Sequence, residues 1–127
     1  MGTVIIGTVK GDLHDIGKNL VKIMMESKNI RVIDLGVDVS PRRFLEEAVG
    51  SHAQIVCLSG IMPHSEEDMR AVVEEFEMKG IRDQFYFMVG GYFLTERQAK
   101  AIGADCYTED ACNFYHRPRR KMAYKRI

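Results

Sequence analysis

The residue types best suited to chemistry gather in "KGDLHDIGKN", residues 10–19, which follows an apolar run and precedes a helical pattern. Asp12, His14 and Asp15 stand there between Gly11 and Gly17, where a strand hands over to a helix. Asp12 can be a helix cap or turn residue, and His14 a solvated turn histidine. Together they permit more. An imidazole that coordinates a metal through one nitrogen gives its other N–H to a carboxylate, which fixes tautomer and basicity. Asp12, two residues before His14, is placed to do this. Ser65 could close the relay by hydrogen bonding to the carboxylate, or simply cap the helix that follows it. Gly17 lacks a side chain where a ligand or neighbouring strand could approach closely.

A second set of candidates lies further along. Ser59 ends an apolar run and either bonds the loop backbone or faces a ligand, and Gly90-Gly91 is a plain turn or a second close approach. His64 stands beside this region and His52 at a helix-to-strand loop, both read as surface histidines. Cys112 and His116 are zinc-ligand types, but their spacing matches no closed zinc set, so a zinc site is rejected.

The elements that must position these residues alternate regularly. Residues 3–9, 30–36, 54–60, 84–91 and 104–107 read as strands, and 17–28, 40–50, 65–79 and 95–103 as amphipathic helices. Ser40, Pro41 and Gly50 mark a helix start and stop. This β-α repetition predicts an α/β fold: a flavodoxin-like, Rossmann-type five-stranded parallel sheet in the order 2-1-3-4-5, with helices on both faces. A short helix is expected near 109–116, followed by a mobile basic tail. In such sheets ligands bind beyond the carboxyl ends of the strands, near the point where strand order reverses. Asp12, His14, Gly17, Ser59, His64, Ser65 and Gly90-Gly91 fall at that edge.

Composition narrows the function further. The 127 residues carry 18 basic and 18 acidic side chains, so no global charge points to nucleic acid or acidic lipid. Residues 117–126 nevertheless hold six basic side chains and no acid. Three cysteines are an odd count without a disulfide rhythm, and no apolar run is long enough for a membrane span. A cytoplasmic domain over residues 1–116 with a basic tail over 117–127 is therefore expected, with neither nucleic acid nor membrane as partner. A two-component receiver would need a phosphorylatable aspartate at the end of the third strand, where this sequence has Ser59.

These residues resemble a known family, the cobalamin (vitamin B12)-binding domains of corrinoid-dependent methyltransferases. The marks are D-x-H-x-x-G in Asp12-Leu13-His14-Asp15-Ile16-Gly17, the serine loop Ser59-Gly60-Ile61 with Ser65, and Gly90-Gly91. The likeness spans residues 2 to 112 and includes "VIDLGVDV" and "IGAD". The resemblance implies that His14 is the lower axial ligand to cobalt, replacing the cofactor's dimethylbenzimidazole, with Asp12 and Ser65 completing a relay behind it. It implies that Gly11, Leu13, Asp15, Ile16, Gly17, Ser59, Ile61, Gly90 and Gly91 line the cofactor and its displaced nucleotide tail. Tyr107 and Ala111 match positions that close over that tail.

The function implied is methyl carriage on cobalamin or a related corrinoid. The implied partners are a substrate-specific methyltransferase, an acceptor methyltransferase and a corrinoid reactivase. Relatives usually carry an upstream helical bundle over the corrin. This chain starts at the first strand, so it lacks that cap or is a fragment, and an uncapped face favours another protein or a homodimer. Tyr92 and Phe93 replace the small residues usual after the glycine pair, and Pro63-His64 replaces a threonine and proline. A non-catalytic cobalamin sensor, storage protein or flavodoxin-like interaction module is the alternative.

Overall fold

The computed structural model describes residues 2–12, 30–60, 62–90, 95–108 and 114–116, with Thr108 and the last three as backbone. Five parallel strands, β1 (Gly2–Thr8), β2 (Ile30–Asp34), β3 (Ile55–Ser59), β4 (Tyr86–Gly90) and β5 (Cys106–Thr108), pair in the order β2-β1-β3-β4-β5. Helices α1 (Pro41–Gly50), α2 (Ser65–Met78) and α3 (Glu96–Ile102) form the described crossovers. The expected flavodoxin-like order is the observed one. The helix expected over 17–28 and the tail over 117–127 lie outside the described residues.

The chain departs from expectation after β5. Of the span 109–116 expected to be a helix, the described residues form a sixth strand, β6 (Phe114–His116), which runs antiparallel to β5 and pairs Tyr107 with Tyr115; residues 109–113 lie outside the described residues. Phe114 and Tyr115 favour extended backbone, and Pro118 bars a helix from continuing. The edge of β5 offers that short aromatic segment a full set of backbone partners.

Continuous apolar strands are buried on both faces, as a parallel sheet requires. On one face Ile5, Val56, Leu58, Phe87 and Val89 meet Phe44 and Leu45 of α1, Met69, Val73 and Phe76 of α2, and Ile102 of α3. Phe76 packs edge-to-face on Phe85 and Phe87, with ring centroids 5.0 and 4.9 Å away. On the opposite face Val4, Ile6, Cys57, Tyr86, Met88 and Cys106 form a second buried cluster.

Local chemistry sets the helix ends. The Ser40 hydroxyl accepts from the Arg43 N–H at 3.2 Å, with Pro41 in the first turn of α1. Thr95 and Gln98 form a reciprocal capping box at the start of α3. Ser65 does not cap α2 as expected. It is the first helical residue, His64 holds the cap position, and the Ser65 hydroxyl faces back into the preceding loop. Glu66, Glu67 and Asp68 place negative charge in the first turn, where the helix dipole favours it.

At the amino edge of the sheet, the Arg82 guanidinium reaches both carboxylate oxygens of Asp105 at 3.2 Å and donates to the Gly103 carbonyl at 2.7 Å. Asp105 also accepts from the Phe87 N–H at 2.8 Å. This pair, with Asp105 buried and Arg82 half-buried, joins the Arg82–Gln84 turn to the entry of β5 at the edge opposite the strands' carboxyl ends. Among the described residues no helix is long and apolar enough to cross a membrane.

Candidate functional site at the carboxyl edge

Strand register brings the site together. Thr8 pairs with Ser59, Ser59 with Gly90, and Gly90 with Thr108, so one row crosses four strands at their carboxyl ends. The Thr8 and Ser59 hydroxyls lie 3.1 Å apart and are buried. They belong to the face of Ile6 and Cys57, since side chains alternate along a strand. Pairing continues past the strand ends, where the Val9 N–H donates to the Ser59 carbonyl and the Gly60 N–H to the Gly90 carbonyl. The loops above the row are therefore anchored at their roots.

The loop after β1 is held from two sides. From β2's side, Asp38 accepts from the Gly11 N–H at 2.7 Å and its own N–H donates to the Asp12 carbonyl at 3.1 Å. From α2's side, the Ser65 hydroxyl donates to Asp12 Oδ2 at 3.4 Å and accepts from the Met62 N–H at 3.0 Å. Asp12 is completely buried. A carboxylate sealed in this way requires polar partners, because an unpaired buried charge is strongly disfavoured.

Two glycines are needed for this geometry. Gly11 has φ +81°, and a Cβ there would lie 2.9 Å from Cε1 of His64. A Cβ on Gly60 would lie 2.5 Å from the Ser65 hydroxyl oxygen and 2.8 Å from its Cβ, displacing the group that reaches Asp12.

Of the residues singled out by sequence, the structure gathers Gly11, Asp12, Ser59, Ser65 and Gly90 at this edge. Leu13, His14, Asp15, Ile16, Gly17, Ile61, Gly91 and Ala111 lie outside the described residues, as do Tyr92 and Phe93. Tyr107 does not converge with the others through its ring. It packs against the helix-side core, on the face opposite the Ser59 hydroxyl, because it is one residue out of step with the row ending at Thr108. His52 is exposed at the other end of the molecule. His64, read as a surface histidine, has a side chain 42% exposed, with its ring near Gly11 and its Nδ1 bonded to Asp68.

Sequence reasoning missed Thr8 and Asp38. Thr8 becomes informative only when register sets it beside Ser59. The signal for Asp38 was its type: aspartate tolerates the left-handed backbone it adopts here, with φ 55°.

Below the row, Cys57, Met88 and Cys106 lie in register across three strands, with Cys57 Sγ 3.9 Å from Met88 Sδ. Burial, reinforced by nearby Cys106, pushes the Cys57 thiol far above its usual range. Burial pushes Cys106 up to about 12, with a hydrogen bond from Tyr86 opposing the shift and the Asp105 charge adding to it. Both remain protonated and unreactive near neutral pH.

A carboxylate buried two positions before a histidine, a serine donor from the next loop but one, and small residues at the ends of β3 and β4 now stand at one sheet edge. The family model for the B12 binding domain matches residues 2–113. The chain belongs to the B12-binding domain family.

This B12-binding domain is 42% identical over 111 residues to dimethylamine corrinoid protein 3 of Methanosarcina mazei, covering 87% of the chain and 66% of that protein. Among solved structures, a cobalamin-binding protein from Desulfitobacterium hafniense matches with a TM-score of 0.80 and 32% identity over 88% of the chain and 55% of its own. The methanol:cobalamin methyltransferase complex of Methanosarcina barkeri matches with a TM-score of 0.77 and 26% identity, over 87% of this chain and 42% of that one. The B12-binding domain thus spans between two fifths and two thirds of the length of these proteins.

Proposed function

We propose that residues 1–116 bind cobalamin, or a related corrinoid, with the dimethylbenzimidazole base displaced and His14 in its place, and that the domain carries a methyl group between partner proteins. The observation that carries this reading is the fully buried Asp12, two positions before His14, whose carboxylate accepts from the Ser65 hydroxyl and whose backbone carbonyl accepts from the Asp38 N–H. Those residues fit the cofactor. A ligating imidazole commonly gives its second N–H to a carboxylate, which fixes its tautomer and orientation, and the D-x-H spacing provides Asp12 for that role.

When bound, the corrin supplies a cobalt centre that accepts and releases the methyl group. The chain's own residues do the rest. Asp12 orients the His14 imidazole and holds its N–H proton, and Ser65 fixes the carboxylate. The buried hydroxyls of Thr8 and Ser59, with Gly60 and Gly90, line the edge where a nucleotide tail would enter. Gly11, Leu13, Asp15, Ile16, Gly17, Ile61, Gly91 and Ala111 complete the assignment from the motif positions, Tyr107 through its backbone. The partners in this reading are a donor-specific methyltransferase, an acceptor methyltransferase and a reactivase. It is supported by the family membership and by the methylamine- and methanol-system proteins the chain resembles.

The test adds hydroxocobalamin, removes the excess, and records visible and paramagnetic-resonance spectra of the cobalt(II) form. The expected result is a signal from one protein imidazole, lost in His14→Ala. Retention of the dimethylbenzimidazole ligand, or spectra unchanged in His14→Ala, would overturn the proposal.

A further inference from the structure

Two consecutive residues on one side of the edge engage two consecutive residues on the other. The His64 ring lies against Gly11, and the Ser65 hydroxyl donates to Asp12. Gly11 is the last residue before the D-x-H-x-x-G motif begins. The ring is not loose over it: Nδ1 bonds the Asp68 carboxylate one helical turn on, while the His64 carbonyl accepts from the Asp68 N–H at 3.1 Å. With the ring bonded to Asp68, a Cβ at position 11 would lie 2.9 Å from its Cε1, and Gly11 itself has φ +81°.

From this geometry we infer that His64 is a positioning residue of the corrinoid site: it clasps Gly11 from above, while Asp38 holds the Gly11 N–H and Ser65 holds Asp12. The three contacts close around Gly11 and Asp12 and pre-form the turn at Lys10-Gly11, from which the chain runs on to His14. Pre-forming that turn removes ordering cost from cofactor binding and so tightens it. His64 touches neither cobalt nor the methyl group in this assignment; it acts through Gly11 and Asp12. This rests on the corrinoid reading above for its consequence, but the clasp itself is a property of the chain without cofactor.

The experiment separates the two. In the cofactor-free protein, amide hydrogen exchange is measured at Asp12 and Asp38, whose N–H groups donate to the Val9 and Asp12 carbonyls. Hydroxocobalamin affinity and the cobalt(II) spectrum are measured alongside. His64→Ala removes the ring, and His64→Phe retains a ring over Gly11 without the Asp68 bond. An exposed-pair control, Lys100→Ala, removes an ion pair with Glu96 on α3.

The expected result is exchange at least 10-fold faster at both amides in His64→Ala, with an unchanged thermal midpoint, about 10-fold weaker cobalamin binding and a smaller imidazole-ligated fraction. His64→Phe recovers part of the protection, and Lys100→Ala changes nothing. Unchanged amide protection in His64→Ala overturns the clasp. Faster exchange with unaltered affinity and spectrum overturns its role in the site. If the unsubstituted chain binds no cobalamin, the corrinoid reading falls, and the exchange data still decide the clasp.

Discussion

Ser65 places its hydroxyl 3.4 Å from Oδ2 of Asp12, a fully buried carboxylate 53 positions earlier in the chain. The contact joins the first residue of α2 to the loop after β1. Replacing Ser65 with alanine removes a donor from a buried carboxylate and an acceptor from the Met62 N–H. The expected loss is about 1–3 kcal/mol, the usual range for an unsatisfied buried group. Urea denaturation of the cofactor-free chain measures it. Ser65→Thr, which restores the hydroxyl, should recover part of the loss.

Gly60→Ala tests the same contact sterically. The added Cβ would meet the Ser65 side chain at 2.5 and 2.8 Å, so Ser65 must move off Asp12. A cost of about 1–3 kcal/mol is expected from overpacking. A double-mutant cycle with Ser65→Ala should show strong coupling, because both changes remove one interaction. Additive effects would place the strain elsewhere.

The amino edge makes an independent prediction. Arg82→Ala would leave Asp105, 4% exposed in its side chain, without its cation, and would strip a donor from the Gly103 carbonyl. Breaking a buried pair from one side costs about 3–5 kcal/mol, so a lowered urea midpoint is expected. Cobalamin affinity measured below the unfolding transition should not change, since the pair lies at the opposite end of the strands.

The buried thiols predict a pH dependence. Below pH 9, the ordinary Cys106 value, the thiol is protonated in both folded and unfolded chains. Above it the unfolded chain releases the proton while the folded chain retains it up to about 12. The folded state then binds more protons, so stability falls as pH rises through this window. Urea midpoints from pH 8 to 11 should decline, and Cys106→Ala should flatten the decline. An equal slope in the variant would assign the dependence to other groups.

The sequence by itself determined the alternation of strands and helices, the strand order, and the edge at which Asp12, Ser59, Ser65 and Gly90 meet. These follow from apolar periodicity, capping residues and the handedness of crossovers, all of which are local or nearly so. Tertiary structure decided what depends on register and on backbone sign. It paired Thr8 with Ser59, turned the Tyr107 ring to the other face, and made Phe114–His116 a strand rather than a helix. It brought Asp38 and His64 onto Gly11. None of these could be read from spacing, because a one-residue change of register or a single positive φ reverses where a side chain points.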